Sequence, residues 1–278
     1  MHQRRVAERR AKQRKRTITI TVSLLVGLLG LGIAYVAFAR GGEDTKPAAS
    51  GTPTPSPSPS PSKGPQQIGK PGTQTGTVTA QPAAETVACG AEVPKAASEP
   101  KPQFNAPAQV IDEGTTYTAT IQTSCGDIVV ELDPATAPET VNSLVFLAEQ
   151  GYFDGQYFHR LDTSIDVIQG GDPTGTGSGN PGYSIPDELT GKESYGPGVL
   201  AMANAGPDTG GSQFFIVTGE NGHALDDQGA WTIFGNVTEG LDVAREIQQI
   251  PIQDPSQGIV GQQPSQAVYI EEVTIQES

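Results

Sequence analysis

A run of 23 residues without a charged side chain, TITITVSLLVGLLGLGIAYVAFA at residues 17–39, limits what the start of this chain can form. A helix of this length extends about 35 Å, which is enough to cross a hydrocarbon core of about 30 Å. Eight of the 17 Lys and Arg residues lie in residues 1–16, which predicts a basic cytoplasmic tail and an extracytoplasmic remainder. A cleaved signal peptide is the alternative, since the run ends in Ala-Phe-Ala, but its length favours an uncleaved anchor.

Residues 40–113 are typical of a linker and an arm. The repeat TPTPSPSPSPSKGP, which begins at Thr52, predicts an extended polyproline spacer that cannot bury apolar area. Several prolines between 94 and 107 argue against regular structure in the arm. The two cysteines, Cys89 and Cys125, predict one disulfide outside the cytoplasm, with two free thiols as the alternative.

Charge, residue content and motif context argue against several classes of function. From residue 41 onward the chain has about 22 more acidic than basic side chains, so it should repel nucleic acid. Two Cys and three His residues do not supply a convincing zinc site. GSGNPG at 177–182 matches a dinucleotide-binding spacing but follows no predicted strand, and no Gly-x-Ser-x-Gly elbow supports a hydrolase.

The segment 114–278 has the pattern of a globular domain. YTATIQTSCGDIVVEL, from Tyr117, predicts two strands with a turn, and TAPETVNSLVFLAEQG predicts an amphipathic helix. Thr136 and Glu139 suggest a capping box for this helix, and Gly151 suits its C-terminal end. Short strand-like runs follow, and a second helix at 239–248 is expected to be capped by Thr238. Many short strands with two helices favour a mainly β fold, a closed β-barrel capped by two α-helices.

Five short motifs occur in a fixed order along this domain. They are YFHR at 157–160, QGGD at 169–172, MANAGP at 202–207, GSQFFI at 211–216 and FG at 234–235. Together they resemble the cyclophilin family of peptidyl-prolyl cis/trans isomerases, from about Tyr117 to the C-terminus. The resemblance implies an eight-stranded antiparallel barrel, a monomer, proline-containing polypeptides as substrates, and no cofactor or metal. The apolar run and the Pro-rich spacer make the chain look like the envelope-anchored cyclophilins of some bacteria.

The resemblance also implies the site residues. Arg160 would donate to the prolyl nitrogen, and Gln169 would orient Arg160 and contact the substrate. Substrate-binding roles are implied for Phe215, Asn204, Ala203, Gln213, Leu225, Val167 and Trp231. His159, next to Arg160 on the same predicted strand, is expected to face inward and to be hydrogen-bonded there.

The sequence departs from the family between Arg160 and Gln169. LDTSIDVI is one residue longer than the family's usual apolar run, and Asp166 takes the place of a pocket Phe. Either the loop turns Ile165 inward instead, or the pocket is weakened. Trp231 stands where the family often has His, and its large ring offers a replacement for the apolar wall.

We therefore expect a membrane-tethered, extracytoplasmic prolyl isomerase that acts on exported or envelope proteins. A module that binds proline-containing segments without turnover is the main alternative. A structural or adhesive surface protein is a third class, suggested by the acidic body and the stalk.

Overall fold

The computed structural model describes residues 70–112 and 114–278. Within them the chain forms ten strands: β1 (Gln74–Val78), β2 (Lys101–Phe104), β3 (Tyr117–Thr123), β4 (Gly126–Leu132), β5 (Arg160–Asp162), β6 (Val167–Gly170), β7 (Val199–Met202), β8 (Phe214–Val217), β9 (Ile233–Glu239) and β10 (Ile270–Glu277). The α-helices are α1 (Pro138–Glu149) and α2 (Leu241–Gln248). Short 3₁₀ helices lie at Ala88–Gly90, Lys95–Ser98, Glu220–Leu225 and Pro255–Gln262.

Eight strands form one antiparallel sheet in the order β10-β3-β4-β9-β7-β8-β6-β5. The sheet is an open, curled half-barrel with β10 and β5 at its edges, so the closed barrel expected from the sequence is not confirmed. The segment just before β5 is hydrogen-bonded to the segment just before β10, since Phe158 N donates to Val268 O at 3.0 Å. β5 itself has only three residues, which leaves no length for a continuous ladder to β10.

Side-chain alternation along the strands produces the core. In β3 every second residue from Tyr117 to Thr123 is buried, as period-2 alternation predicts. Helix α1 adds Val141 and Leu144 to the same core, and α2 adds Ala244 and Ile247. Both predicted helices are therefore present and pack apolar residues on the core.

The helix starts differ from the sequence expectation. Helix α1 begins at Pro138 and has no side-chain cap from its own N-terminal segment, so the predicted capping box is wrong. The carboxylate of Glu188, distant in sequence, accepts from the N–H groups of Glu139 at 3.0 Å and Thr140 at 2.9 Å. It satisfies the free donors that a local cap would have taken.

Helix α2 also begins without the expected cap. It follows Gly240, whose φ of 80° is left-handed, and the Thr238 hydroxyl donates to Val129 O instead. The predicted cap at Thr238 is therefore wrong. An added Cβ at Gly240 would lie 2.1 Å from Asp127 O, so this turn requires glycine.

The arm at residues 70–112 is ordered and packs against the half-barrel. β1 and β2 pair with each other even though Pro102 lies in β2, on the edge of a two-stranded sheet. Cys89 forms a disulfide with Cys125 in the turn between β3 and β4. The ring of Phe104 contacts that of Phe146 on α1, with centroids 4.9 Å apart. The prolines thus do not prevent regular structure in this segment.

The predicted basic tail (1–16), the predicted membrane span (17–39) and the Pro-rich repeat lie outside the described residues. Within 70–112 and 114–278, no helix has the length and apolar character to cross a membrane.

Candidate active site

The site is built on one row of residues that crosses four neighbouring strands. Arg160 on β5 pairs with Gln169 on β6, Gln169 pairs with Phe215 on β8, and Phe215 pairs with Ala201 on β7. Residues directly opposite one another in antiparallel strands share a face of the sheet. The register therefore places a cation, an amide and an aromatic ring side by side.

Three acceptors hold the Arg160 side chain. Its Nη2 contacts Asp162 Oδ2 at 2.6 Å, Nη1 donates to Gln169 Oε1 at 3.1 Å, and Nε donates to Gln262 Oε1 at 2.7 Å. Leu161 between the two charged residues lies in the main core, so Arg160 and Asp162 face the opposite side of β5. Burial lowers the pKa of the guanidinium, and the Asp162 carboxylate opposes that shift.

A chain of hydrogen bonds leads from Arg160 through the side-chain amides of Gln169 and Gln213. At each step the group nearer Arg160 is the donor. Gln169 Nε2 donates to Gln213 Oε1 at 3.1 Å, and Gln213 Nε2 donates to Gly179 O at 2.9 Å. Because a guanidinium is only a donor, its bond to Gln169 Oε1 fixes which way both amides point. Gln169 is thus hydrogen-bonded to both Arg160 and Gln213.

A second apolar cluster, separate from the main core, lies beside this row. It contains the buried residues Val167, Tyr195, Val199, Ala201, Phe215, Val217 and Leu225, with Ile165, Ala203, Trp231 and Ile233 packed against it. Phe214, adjacent to Phe215, belongs to the main core. The structure therefore divides the two rings as the alternation predicts, with Phe215 on the side of Arg160.

Trp231 packs against the edge of this apolar cluster. Its ring centroid lies 6.2 Å from that of Phe215 and 5.9 Å from that of Tyr195. The Tyr195 hydroxyl donates to Trp231 O at 2.8 Å and accepts from Trp231 N at 3.0 Å, which fixes the backbone that carries the indole. Burial raises the pKa of Tyr195 to about 12.

The β5–β6 turn resolves the departure seen in the sequence. Asp166 adopts a left-handed φ of 50°, and its carboxylate accepts from Asn221 N at 2.9 Å. Ile165 packs against the apolar cluster. The acid is thus turned away from this cluster while Ile165 packs on it, which is the first of the two outcomes expected for this loop.

Asn204 and Ala203 lie where β7 ends. The Asn204 amide donates to Ala230 O at 2.7 Å, and Ala203 N donates to Gln213 O at 2.9 Å. The Asn204 side chain is thus committed to holding the segment just before Trp231.

His159 lies on the core side of the strand and is 4% exposed. Neither ring nitrogen has a hydrogen-bond partner among the described residues, so the expected internal hydrogen bond is wrong. Burial lowers the pKa of His159 to about 4, with Arg160 adding to the decrease and Asp172 opposing it. The ring is therefore neutral and takes no part in the site.

Sequence reasoning missed three residues that support the site. Asp162 carried a usable signal, since residues i and i+2 of a strand share a face and Arg160 lies two positions earlier. Tyr195 and Gln262 carried none, because they are 35 and 102 residues from Arg160 and no short motif links them.

Comparison with known proteins identifies the family. Residues 118–275 match the family described as cyclophilin type peptidyl-prolyl cis-trans isomerase/CLD. The chain is 47% identical over 121 residues to peptidyl-prolyl cis-trans isomerase B of Bacillus subtilis, covering 43% of this chain and 82% of that protein. It is 46% identical over 131 residues to peptidyl-prolyl cis-trans isomerase ppi1 of Schizosaccharomyces pombe, covering 46% and 82%.

The fold comparison leads to the same family. The crystal structure of a cyclophilin type peptidyl-prolyl cis-trans isomerase from Cryptosporidium parvum matches with a TM-score of 0.52 and 29% identity, covering 59% of this chain and 99% of that one. The chain therefore belongs to the cyclophilin-type peptidyl-prolyl cis-trans isomerases.

Proposed function

We propose that this chain accelerates rotation about X-Pro bonds by donating a hydrogen bond from Arg160 to the prolyl nitrogen. Amide resonance sets a barrier of about 18–20 kcal/mol to this rotation. In the twisted amide the nitrogen regains its lone pair, so a fixed donor favours that state over the planar ones. No bond to carbon has to form or break.

The hydrogen bonds of Arg160 suit it to this role. A guanidinium has five N–H groups, and Arg160 uses three of them on Asp162, Gln169 and Gln262 within the described part of the chain. One N–H on each terminal nitrogen remains for a ligand. Since the three acceptors hold the group in place, little ordering is needed when a peptide arrives.

The apolar cluster supplies a place for the pyrrolidine ring. Phe215 forms its floor beside Val167 and Leu225, and Trp231 and Ile165 complete the wall. The register of Arg160, Gln169 and Phe215 is the observation that carries the proposal, because it sets a donor next to a dry surface for proline. The Cryptosporidium parvum cyclophilin has also been crystallised in the presence of the dipeptide Ala-Pro.

We assign peptide-backbone contacts to Ala203 and Asn204, and an added hydrogen bond to Gln213. An acidic side chain in the proline pocket would favour the alternative, a module that binds proline without turnover. Asp166 faces Asn221 instead, which removes that support.

An isomerisation assay on a Pro-containing tetrapeptide tests the activity, with peptide affinity measured in parallel. Wild type should exceed the thermal rate, and Arg160→Ala should fall close to it while still binding peptide. Wild type that binds peptide but gives only the thermal rate would favour the binding module. Wild type that does neither would overturn both readings.

We further propose that residues 17–39 anchor the chain in a membrane with the domain on the extracytoplasmic side, where it acts on exported or envelope proteins. The uncharged length, the preceding basic residues and the Pro-rich spacer support this orientation. Added protease should digest the domain in intact cells, whereas protection until lysis would contradict the orientation. The mass of the mature protein distinguishes an anchor from a cleaved signal.

A further inference from the structure

A loop between α2 and β10 reaches the side chain of Arg160. An antiparallel bridge between Ile252 and Pro264 closes its base, and Gln253 N donates to Gln263 O at 2.9 Å. The 3₁₀ helix Pro255–Gln262 lies at its tip. An added Cβ at Gly261 would lie 1.7 Å from Asp254 O, so the loop closes too tightly there for any side chain.

Two consecutive glutamines at the end of this loop make side-chain hydrogen bonds to other segments of the domain. Gln262 Oε1 accepts from Arg160 Nε at 2.7 Å, and Gln263 Nε2 donates to Gly175 O at 3.2 Å. Only the first of these bonds involves the guanidinium. The second attaches the loop to the segment that follows Asp172.

The disulfide-bonded arm supports the chain that follows the loop. Ala267 N donates to Thr86 O at 3.0 Å, and Ala88 N donates to Ala267 O at 2.9 Å. Cys89, the next residue of the arm, is bonded to Cys125. The loop that carries Gln262 is therefore attached at its exit to a covalently fixed segment.

We propose that Gln262 is a positioning residue for Arg160, an inference that rests on the proposed catalytic role of Arg160. Asp162 and Gln169 hold the two terminal nitrogens, and Gln262 holds the third nitrogen, Nε. Contacts at all three nitrogens fix the plane of the guanidinium as well as its location. The two remaining N–H groups then have a constant direction before the peptide binds.

The three acceptors also reduce the entropy that the Arg160 side chain loses when a peptide binds. A free Arg side chain populates many rotamers, and the acceptors restrict it in advance. Loss of Gln262 should therefore act on turnover more than on binding, because the pocket that holds proline is left intact.

The test compares steady-state isomerisation by Gln262→Ala, Gln262→Glu and Gln263→Ala in the full chain. Gln262→Ala should lower kcat about tenfold, as expected for loss of a hydrogen bond to a charged group, with KM within about twofold. Gln262→Glu keeps an acceptor at Nε and should restore most of the activity. Gln263→Ala removes the bond to Gly175 but leaves Gln262 in place, so it should stay close to wild type.

Several outcomes would overturn the inference. A wild-type or increased kcat in Gln262→Ala would do so, and so would an equal loss in Gln263→Ala, which would implicate placement of the loop instead of the acceptor. If Arg160→Ala alone keeps full activity, the proposed function fails, which is a separate result.

Discussion

The carboxylate of Asp162 lies 2.6 Å from Nη2 of Arg160, and its side chain is only 2% exposed. The Arg160 side chain is 18% exposed, so both charges of this pair are largely removed from water. Asp162 Oδ1 also accepts from Ser164 N at 2.9 Å, which leaves its other oxygen for the guanidinium. The pair therefore contributes to the fold as well as to the site.

Removing one partner of this pair should destabilise the protein. Asp162→Ala leaves Arg160 without its counter-charge in a buried setting, and we expect the free energy of unfolding to fall by about 3 kcal/mol. Denaturant titration measures this change. Glu220→Ala, which removes an exposed carboxylate 3.8 Å from His223, is the control and should change it by less than about 1 kcal/mol. Equal effects of the two substitutions would contradict the account.

The sequence predicts which face of a strand a side chain takes, because side chains alternate along a strand, and it predicts the family from the order of the motifs. Strand alternation separates Phe214 from Phe215 and His159 from Arg160, and the structure shows both divisions. It does not predict Glu188 at the start of α1. That contact, like the one from Gln262, is made by a residue brought near only by tertiary folding, which no local pattern records.

The β5–β6 turn gives a matched pair of substitutions. Ile165→Ala should weaken binding of a Pro-containing peptide by about fivefold, because Ile165 packs on the pocket cluster. Asp166→Asn tolerates the left-handed φ and should leave the Kd within about twofold, because the carboxylate faces Asn221. Isothermal titration measures both. A larger effect from Asp166→Asn would mean that the acid faces the ligand.

Trp231 offers a test of the pocket wall. Trp231→Ala removes a ring that contacts Phe215 and Tyr195, and we expect peptide affinity to fall roughly fivefold or more. Trp231→Phe keeps an apolar ring and should lose less. If Trp231→Ala bound the peptide as tightly as wild type, the compensating role of this ring would be wrong.

His159 predicts a pH dependence of stability. Its pKa falls from 6.5 to about 4 on folding, so between these values the unfolded state binds the proton and the folded state does not. Stability should therefore decrease as the pH falls from 6.5 to 4, with about 3 kcal/mol from this residue, and the contribution of His159 should level off below pH 4.

Denaturant titrations across this pH range isolate the histidine. His159→Leu should lack this component of the pH dependence, whereas His223→Ala, at an exposed histidine, should keep it. Identical pH profiles for wild type and His159→Leu would show that the buried ring does not titrate as stated.

The isomerisation rate of Arg160→Lys on a Pro-containing tetrapeptide tests the central claim most directly. Lysine keeps the positive charge but lacks the planar group that Asp162, Gln169 and Gln262 hold at three nitrogens. If a fixed guanidinium donor drives the reaction, kcat/KM should fall by about a hundredfold. A value within about threefold of wild type would show that charge near the pocket is sufficient, and would contradict the account.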